Sequence, residues 1–230
     1  MRKRVLITRA AEQAHGLADG LERAGFEAVR HPAIAFESGD LSPVLDALSE
    51  ADWIVFTSAN AVRYFFAAAP GPLTTRTAAV GSSTAQALRE HGIEADYVPR
   101  LFQAEHLAEG LPEARGATIL LPQAEGARPV LADRLRGRGA RLVSAPAYRT
   151  VNAALGPPPS DVHAITFTSP STVSGFREQG GRAEDAVVAC IGPVTASAAQ
   201  KAGMRVHLTA DPSTVEGLID ALTDHFLDKA

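Results

Sequence analysis

Short apolar runs rich in β-branched and aromatic side chains alternate along the chain with longer segments whose apolar positions recur at helical spacing. The first kind reads as buried strands, the second as amphipathic helices. The first half gives strand 4–8, helix 12–24, strand 26–36, helix 41–48, strand 53–57, helix 60–68, strand 78–80, helix 85–91, strand 93–98 and helix 104–111. The second half gives strands at 118–121 and 141–151 around a helix at 129–136. It continues with strand 164–168, helix 172–178, strand 187–191, helix 193–202, strand 205–208 and helix 215–226. Gly25, Gly92, Gly139 and Gly203 stand where helices should end. Pro70-Gly71-Pro72 stops the helix before it, and Pro157-Pro158-Pro159 is a stiff spacer. Strands alternating with helices predict an α/β fold of parallel sheets covered on both faces.

The pattern occurs twice. Thr57-Ser58 recurs at Thr168-Ser169, an offset of 168 − 57 = 111, and Gly81 with Thr84 recurs at Gly192 with Thr195 at the same offset. Gly25 and Gly139 differ by 114, a drift of three residues. A tandem duplication follows, with halves near residues 1–112 and 116–230, and two similar lobes facing each other across a cleft are its natural consequence.

The chain is organised around 52–64, DWIVFTSANAVRY, and its echo at 161–176, DVHAITFTSPSTVSGF. In each, a strand meets Thr-Ser and then a helix. The first amides of such a helix have no intrahelical partner and face outward with the positive end of the dipole, which suits a carboxylate or phosphate. The plainer reading is that Ser58 and Ser169 only cap their helices. Each half offers three such turns. They are Thr8-Arg9, Thr57 with Ser58 and Asn60, and Gly81-Ser82-Ser83-Thr84 in the first. The second has Thr168-Ser169-Pro170-Ser171, Gly192 to Thr195, and the weaker turn after Gln123. Ligands of open parallel sheets bind at the carboxyl ends of the strands, so Arg9, Ser58, Asn60, Ser82, Ser83, Thr84, Gln123, Ser169, Ser171 and Thr195 are candidate contacts for an anionic, acceptor-rich ligand.

Composition narrows the field. With 46% hydrophobic and 21% charged residues in 230, the chain reads as an ordinary globular protein, and a net charge of −4 argues against nucleic acid as a partner. Cys190 is alone within an apolar run, so it reads as a core filler and the reducing cytoplasm is the expected compartment. No stretch approaches a membrane span. Neither G-x-G-x-x-G after a strand nor G-x-x-x-x-G-K-[ST] occurs, the seven histidines are scattered without a metal-ligand set, and G-x-S-x-G is missing. Dinucleotide binding, P-loop chemistry, a metal centre and hydrolase chemistry are therefore disfavoured. The arginines of 128–141 read mostly as a solvated helix face, with Arg128, at its start, the one placed near the cleft. Tyr148, in the strand AYRTV, reads either as a partly buried aromatic or, in a cleft lined by helix termini, as a phenol able to donate a proton.

At these residues the sequence resembles the uroporphyrinogen-III synthase family. The likeness covers nearly the whole chain: VLITRA at 5–10, PAIAFE at 32–37, VFTSANAV at 55–62, AVGSSTAQAL at 79–88, LLPQAEGARPVLADRL at 120–135, AYRTV at 147–151, FTSPSTV at 167–173 and IGPVTASAA at 191–199. Ala10 stands where many bacterial members carry proline. The resemblance implies a cofactor-free lyase acting on hydroxymethylbilane, a linear tetrapyrrole with eight carboxylates; a monomer is the expected state. It further implies two lobes, each a five-stranded parallel sheet flanked by helices, that exchange pieces through crossing strands at 33–37 and 147–152. The lobes would be 1–32 with 153–230, and 38–146. Carried over residue by residue, it makes Tyr148 the proton donor to the departing hydroxyl, with Thr84 and Thr195 at equivalent turns and Ser58 and Ser169 near substrate carboxylates. The rival from another class is a two-lobed small-molecule binding or sensor module without turnover.

Overall fold

The computed structural model describes residues 2–69 and 71–227. The strands are β1 (Arg4–Ile7), β2 (Glu27–Arg30), β3 (Ile34–Ser38), β4 (Trp53–Phe56), β5 (Arg76–Ala79), β6 (Thr118–Ala124), β7 (Arg141–Asn152), β8 (Ala164–Phe167), β9 (Val187–Cys190) and β10 (Leu208–Thr209). The α-helices are α1 (His15–Arg23), α2 (Ser42–Asp46), α3 (Ala59–Ala68), α4 (Ser82–Glu90), α5 (Ala104–Gly110), α6 (Val130–Gly137), α7 (Pro170–Glu178), α8 (Pro193–Lys201) and α9 (Val215–Leu227). Pro70, expected to stop α3, lies outside the described residues. No helix among the described residues is long and apolar enough to cross a membrane.

The chain forms two compact units, Met1–Phe36 with Thr150–Ala230, and Glu37–Arg149. It leaves the first within β3 and returns within β7. The first unit holds a five-stranded sheet of order β10-β9-β8-β1-β2, the second a five-stranded sheet of order β3-β7-β6-β4-β5. In the first, β1 pairs in parallel with β2 and β8, and β9 with β8 and β10. In the second, β4 pairs in parallel with β5 and β6, and β6 with β7.

Both faces of the first sheet are covered, which is why its strands are apolar without alternation. Leu6, Ile165, Phe167, Val188 and Cys190 pack against Val173 and Phe176 of α7 and Ala196 and Ala199 of α8. On the other face Val5, Ile7, Ala164 and Ala189 meet Leu17 and Leu21 of α1 and Leu218 and Leu222 of α9. In the second unit Trp53, Val55, Ile119 and Leu121 pack on Leu107 of α5 and Leu131 and Leu135 of α6.

Three strand expectations need correction. The strand expected at 26–36 is two strands in different sheets. His31 and Ala33 donate their amides to Ile7 and Thr8, and Pro32 between them has no N–H to continue a ladder, so the chain leaves β2 there and re-enters as β3. The strand expected at 93–98 reduces to a single bridge, Ala78 to Tyr97. Asp96 supplies with its side chain the acceptor that a paired strand would give from its backbone, Thr77 N–H donating to Oδ2 at 2.7 Å. The strand expected at 205–208 shrinks to β10 for the same reason, with Val188 N–H donating to His207 Nδ1 at 3.0 Å.

These two caps stand 207 − 96 = 111 apart, the spacing of the repeat. A second pair obeys it: Thr118 N–H donates to Asp52 Oδ2 at 2.8 Å, and Arg4 N–H to His163 Nδ1 at 3.1 Å. One unit thus ties its strands with aspartates and the other with histidines at matching positions. His207→Ala is expected to leave the Val188 amide, on a fully buried residue, without that acceptor and to cost about 1–3 kcal/mol. His207→Asp, the residue at the matching position, should recover much of the loss in a thermal melt. An unchanged melting temperature for His207→Ala would show that the cap carries no weight.

Candidate active site

The expected contact residues gather within each unit at the carboxyl ends of three adjacent strands. In the second unit these are β4, β5 and β6. β4 runs into Ser58, whose extended backbone caps α3 and whose Oγ accepts the Ala61 N–H at 3.1 Å. That confirms the capping role. The same Oγ also lies 3.2 Å from the Tyr148 hydroxyl, so the residue that closes the turn also meets the expected proton donor. Asn60, in the first turn of α3, is buried.

Gly81 caps α4, with Ser82 and Ser83 exposed in its first turn and Thr84 buried beneath them. A Cβ on Gly81 would come within 3.2 Å of Phe102, so glycine here lets the 101–103 segment lie against the turn. A cavity of about 560 Å³ opens at these strand ends, lined by Thr57, Val80, Phe102, Gln103, Gln123 and Arg128 among others. Gln123 and Arg128 are therefore brought together, with Arg128 exposed at the approach to α6.

Tyr148 reaches its position through an irregularity. β6 and β7 pair in step from Thr118 with Arg141 to Gln123 with Pro146, then Ala124 pairs with Tyr148 and Ala147 is skipped. A one-residue slip of this kind turns a side chain to the opposite face of the sheet. Tyr148 is 8% exposed, and its ring stacks on Tyr64 of α3, with centroids 5.6 Å apart and planes 21° apart. Its neighbour Arg149 is held by Glu37, Nη2 to Oε2 at 2.7 Å.

In the first unit the strands are β1, β8 and β9. Ser169 caps α7 in a reciprocal arrangement: its Oγ accepts the Thr172 N–H, Thr172 Oγ1 accepts the Ser169 N–H, and the Ser169 and Ser171 hydroxyls are 2.8 Å apart. Thr195 is buried in the first turn of α8 behind its cap Gly192. Arg9 follows β1, partly buried. Its Nε is buried and finds no hydrogen-bond partner among the described residues, and burial pushes the guanidinium below its ordinary pKa. A half-desolvated cation with an unused donor suits an incoming carboxylate. Cys190 is fully buried and its thiol is pushed up to about 11, so it is no thiolate nucleophile.

Thr57, expected within its turn, does line the cavity, whereas Tyr64, Phe102 and Gln103 were not among the residues expected from sequence. Tyr64 falls four residues after Asn60, hence on the same helix face, and that spacing was a usable signal. Phe102 follows Leu101 as an exposed apolar pair between a turn and a helix, and both remain more than half exposed.

A family profile described as "Uroporphyrinogen-III synthase HemD" matches residues 15–220. The "Uroporphyrinogen-III synthase" of Synechococcus elongatus is 31% identical, over 96% of this chain and 94% of that protein. The "Porphyrin biosynthesis protein HemD" of Ruminiclostridium josui is 32% identical over 96% of this chain, which spans only 48% of that longer protein. Among solved structures, uroporphyrinogen-III synthetase from Helicobacter pylori superposes with a TM-score of 0.70 at 18% identity, covering 98% of this chain and all of that one. A mutant uroporphyrinogen III synthase from Thermus thermophilus gives 0.63 at 20%, covering 99% and 100%. Likeness at such identities speaks to the fold, and that fold is the one described above.

Proposed function

The chain belongs to the uroporphyrinogen-III synthase family, and from that premise we propose that it dehydrates and cyclises hydroxymethylbilane to uroporphyrinogen III. The observation that carries this reading is the family profile, which spans both units. In the reaction a proton passes to the terminal hydroxyl, the C–O bond breaks with its electron pair leaving on water, and an electrophilic, cationic azafulvenium remains. The ring at the other end attacks through its substituted position. The resulting spiro intermediate fragments and recloses with that ring inverted, and closure releases a proton that restores the donor. Free in water the same precursor closes without inversion, so the protein's task is to hold the chain so that one carbon is reached instead of another.

In this reading Tyr148 is the proton donor. Arg9 and Arg128 contribute charge to the carboxylates, and the turns at Ser58 and Asn60, Ser82 to Thr84, Gln123, Ser169 with Ser171, and Thr195 contribute hydroxyls and amides. The unused Nε of Arg9 supports the first assignment. The placement of Gln123 and Arg128 in one cavity supports the second. Segments 33–37 and 147–152 connect the lobes 1–32 with 153–230 and 38–146. In this reading the protein works as a monomer on a small molecule in the cytoplasm; the net charge of −4 supports the exclusion of nucleic acid and the lone cysteine supports the reducing compartment.

The test is incubation of the purified chain with freshly made hydroxymethylbilane and separation of the oxidised uroporphyrin isomers. The inverted isomer should dominate. Only the uninverted isomer would end the reading and leave a binding module without turnover.

A further inference from the structure

We propose that Tyr64 and Ser58 form a clamp on Tyr148, making both of them positioning residues for the proton donor; the inference rests on the role of Tyr148 given above. Tyr148 stands where the β6–β7 register slips, so the ladder alone does not fix its ring. Two contacts from α3 add to what holds it. Tyr64 covers it in a near-parallel stack at 5.6 Å, and Ser58 Oγ meets its hydroxyl at 3.2 Å. Both belong to one rigid helix, Ser58 as its cap and Tyr64 within it, so the stack and the hydroxyl contact move together.

The direction of that contact matters. Ser58 Oγ already accepts the Ala61 N–H, and its single proton is available for the Tyr148 oxygen. With Ser58 donating, this contact does not draw on the phenol's own proton. Once that proton has gone to the leaving oxygen and water has left, the phenolate still faces the Ser58 O–H and the positive end of α3. The proton released on ring closure then returns to Tyr148. A stack that keeps the phenol within this reach acts on turnover, since displacing a catalytic group by about 1 Å can cost on the order of 100-fold.

The experiment measures kcat, KM and melting temperature for Tyr64→Leu and Tyr64→Phe, each in the wild-type chain and in Tyr148→Phe. Tyr64→Leu should lower kcat by about 10-fold with little change in KM, and Tyr64→Phe, which keeps the ring, should retain wild-type turnover. In the Tyr148→Phe background Tyr64→Leu should have no further effect on kcat, because there is no longer a proton to place. An equal loss in both backgrounds overturns the clamp and leaves Tyr64 a packing residue. So does full activity of Tyr64→Leu. If Tyr64→Leu does not fold, Tyr64→Met serves in its place, filling the space without a planar ring. If Tyr148→Phe alone keeps full rate, the donor assignment falls and the clamp with it, a result distinct from failure of the Tyr64 arm.

Discussion

Tyr148→Phe is expected to lower kcat for the inverted isomer by about 100-fold, the range of one positioned general acid, while KM stays near that of the parent. The substitution removes one oxygen and little else. The ring can still stack on Tyr64, and Ser58 still caps α3 through the Ala61 N–H. The lost contact with Ser58 costs about 1 kcal/mol, a few degrees of melting temperature in a chain of this size. Turnover should fall short of zero because orientation of the two chain ends supplies much of the barrier reduction. Precursor that escapes slow turnover closes in solution, so the uninverted isomer should rise as the inverted one falls. Thr84→Val and Ser58→Ala should be milder, since the first removes a hydroxyl buried in the first turn of α4 and the second removes one contact to Tyr148 while leaving its proton and its stack on Tyr64. Full activity of Tyr148→Phe would show that the proton comes from water or from the substrate itself.

Much of this arrangement could be read from the chain, and the reason is periodicity. The apolar runs at β4, β6 and β8 are continuous because both faces of a parallel sheet are covered, and the 111-residue offset places Ser58 with Ser169 and Thr84 with Thr195 without coordinates. The same offset extends to features the reading did not use. The bridge of Ala78 to Tyr97 and the pair Ala189 with Leu208 in β9 and β10 both obey it. So do the close approaches of Gly81 to Phe102 and of Gly192 to Ser213. Alternation could not reveal where the register breaks. An unbroken β7 puts Tyr148 on the face of Pro146, and the skipped Ala147 puts it on the other, so its partners Ser58 and Tyr64 were out of reach of pattern reasoning. Nor could a strand be told from its side-chain substitute: Asp96 and His207 satisfy the neighbouring strand's amides from loops, where an apolar stretch suggested a full ladder.

The largest stability effect is expected at Gly39→Ala. A methyl group there would stand 2.1 Å from the Pro146 carbonyl oxygen and 2.7 Å from its carbon, both backbone atoms that cannot swing aside. Gly39 itself cannot retreat freely, because its N–H donates to the Ala147 carbonyl at 3.0 Å. Relief means moving the segment after β3 away from β7 and stretching that bond, at a combined cost of about 3 kcal/mol, or roughly 10 °C in melting temperature. The place of the clash gives it a second consequence. Pro146 and Ala147 are the residues at which the register slips, so displacing them also displaces Tyr148 from Ser58, and kcat measured well below the melting temperature should fall as well. Gly16 in α1 is the opposite case, for an added methyl there meets nothing within 4 Å. Gly16→Ala should stabilise by about 0.5–1 kcal/mol, as expected for a helical glycine with room around it. If Gly39→Ala melted at or above the parent temperature, β7 would have to be free to shift past β3, and the close approach at Gly39 would carry no weight in placing Tyr148.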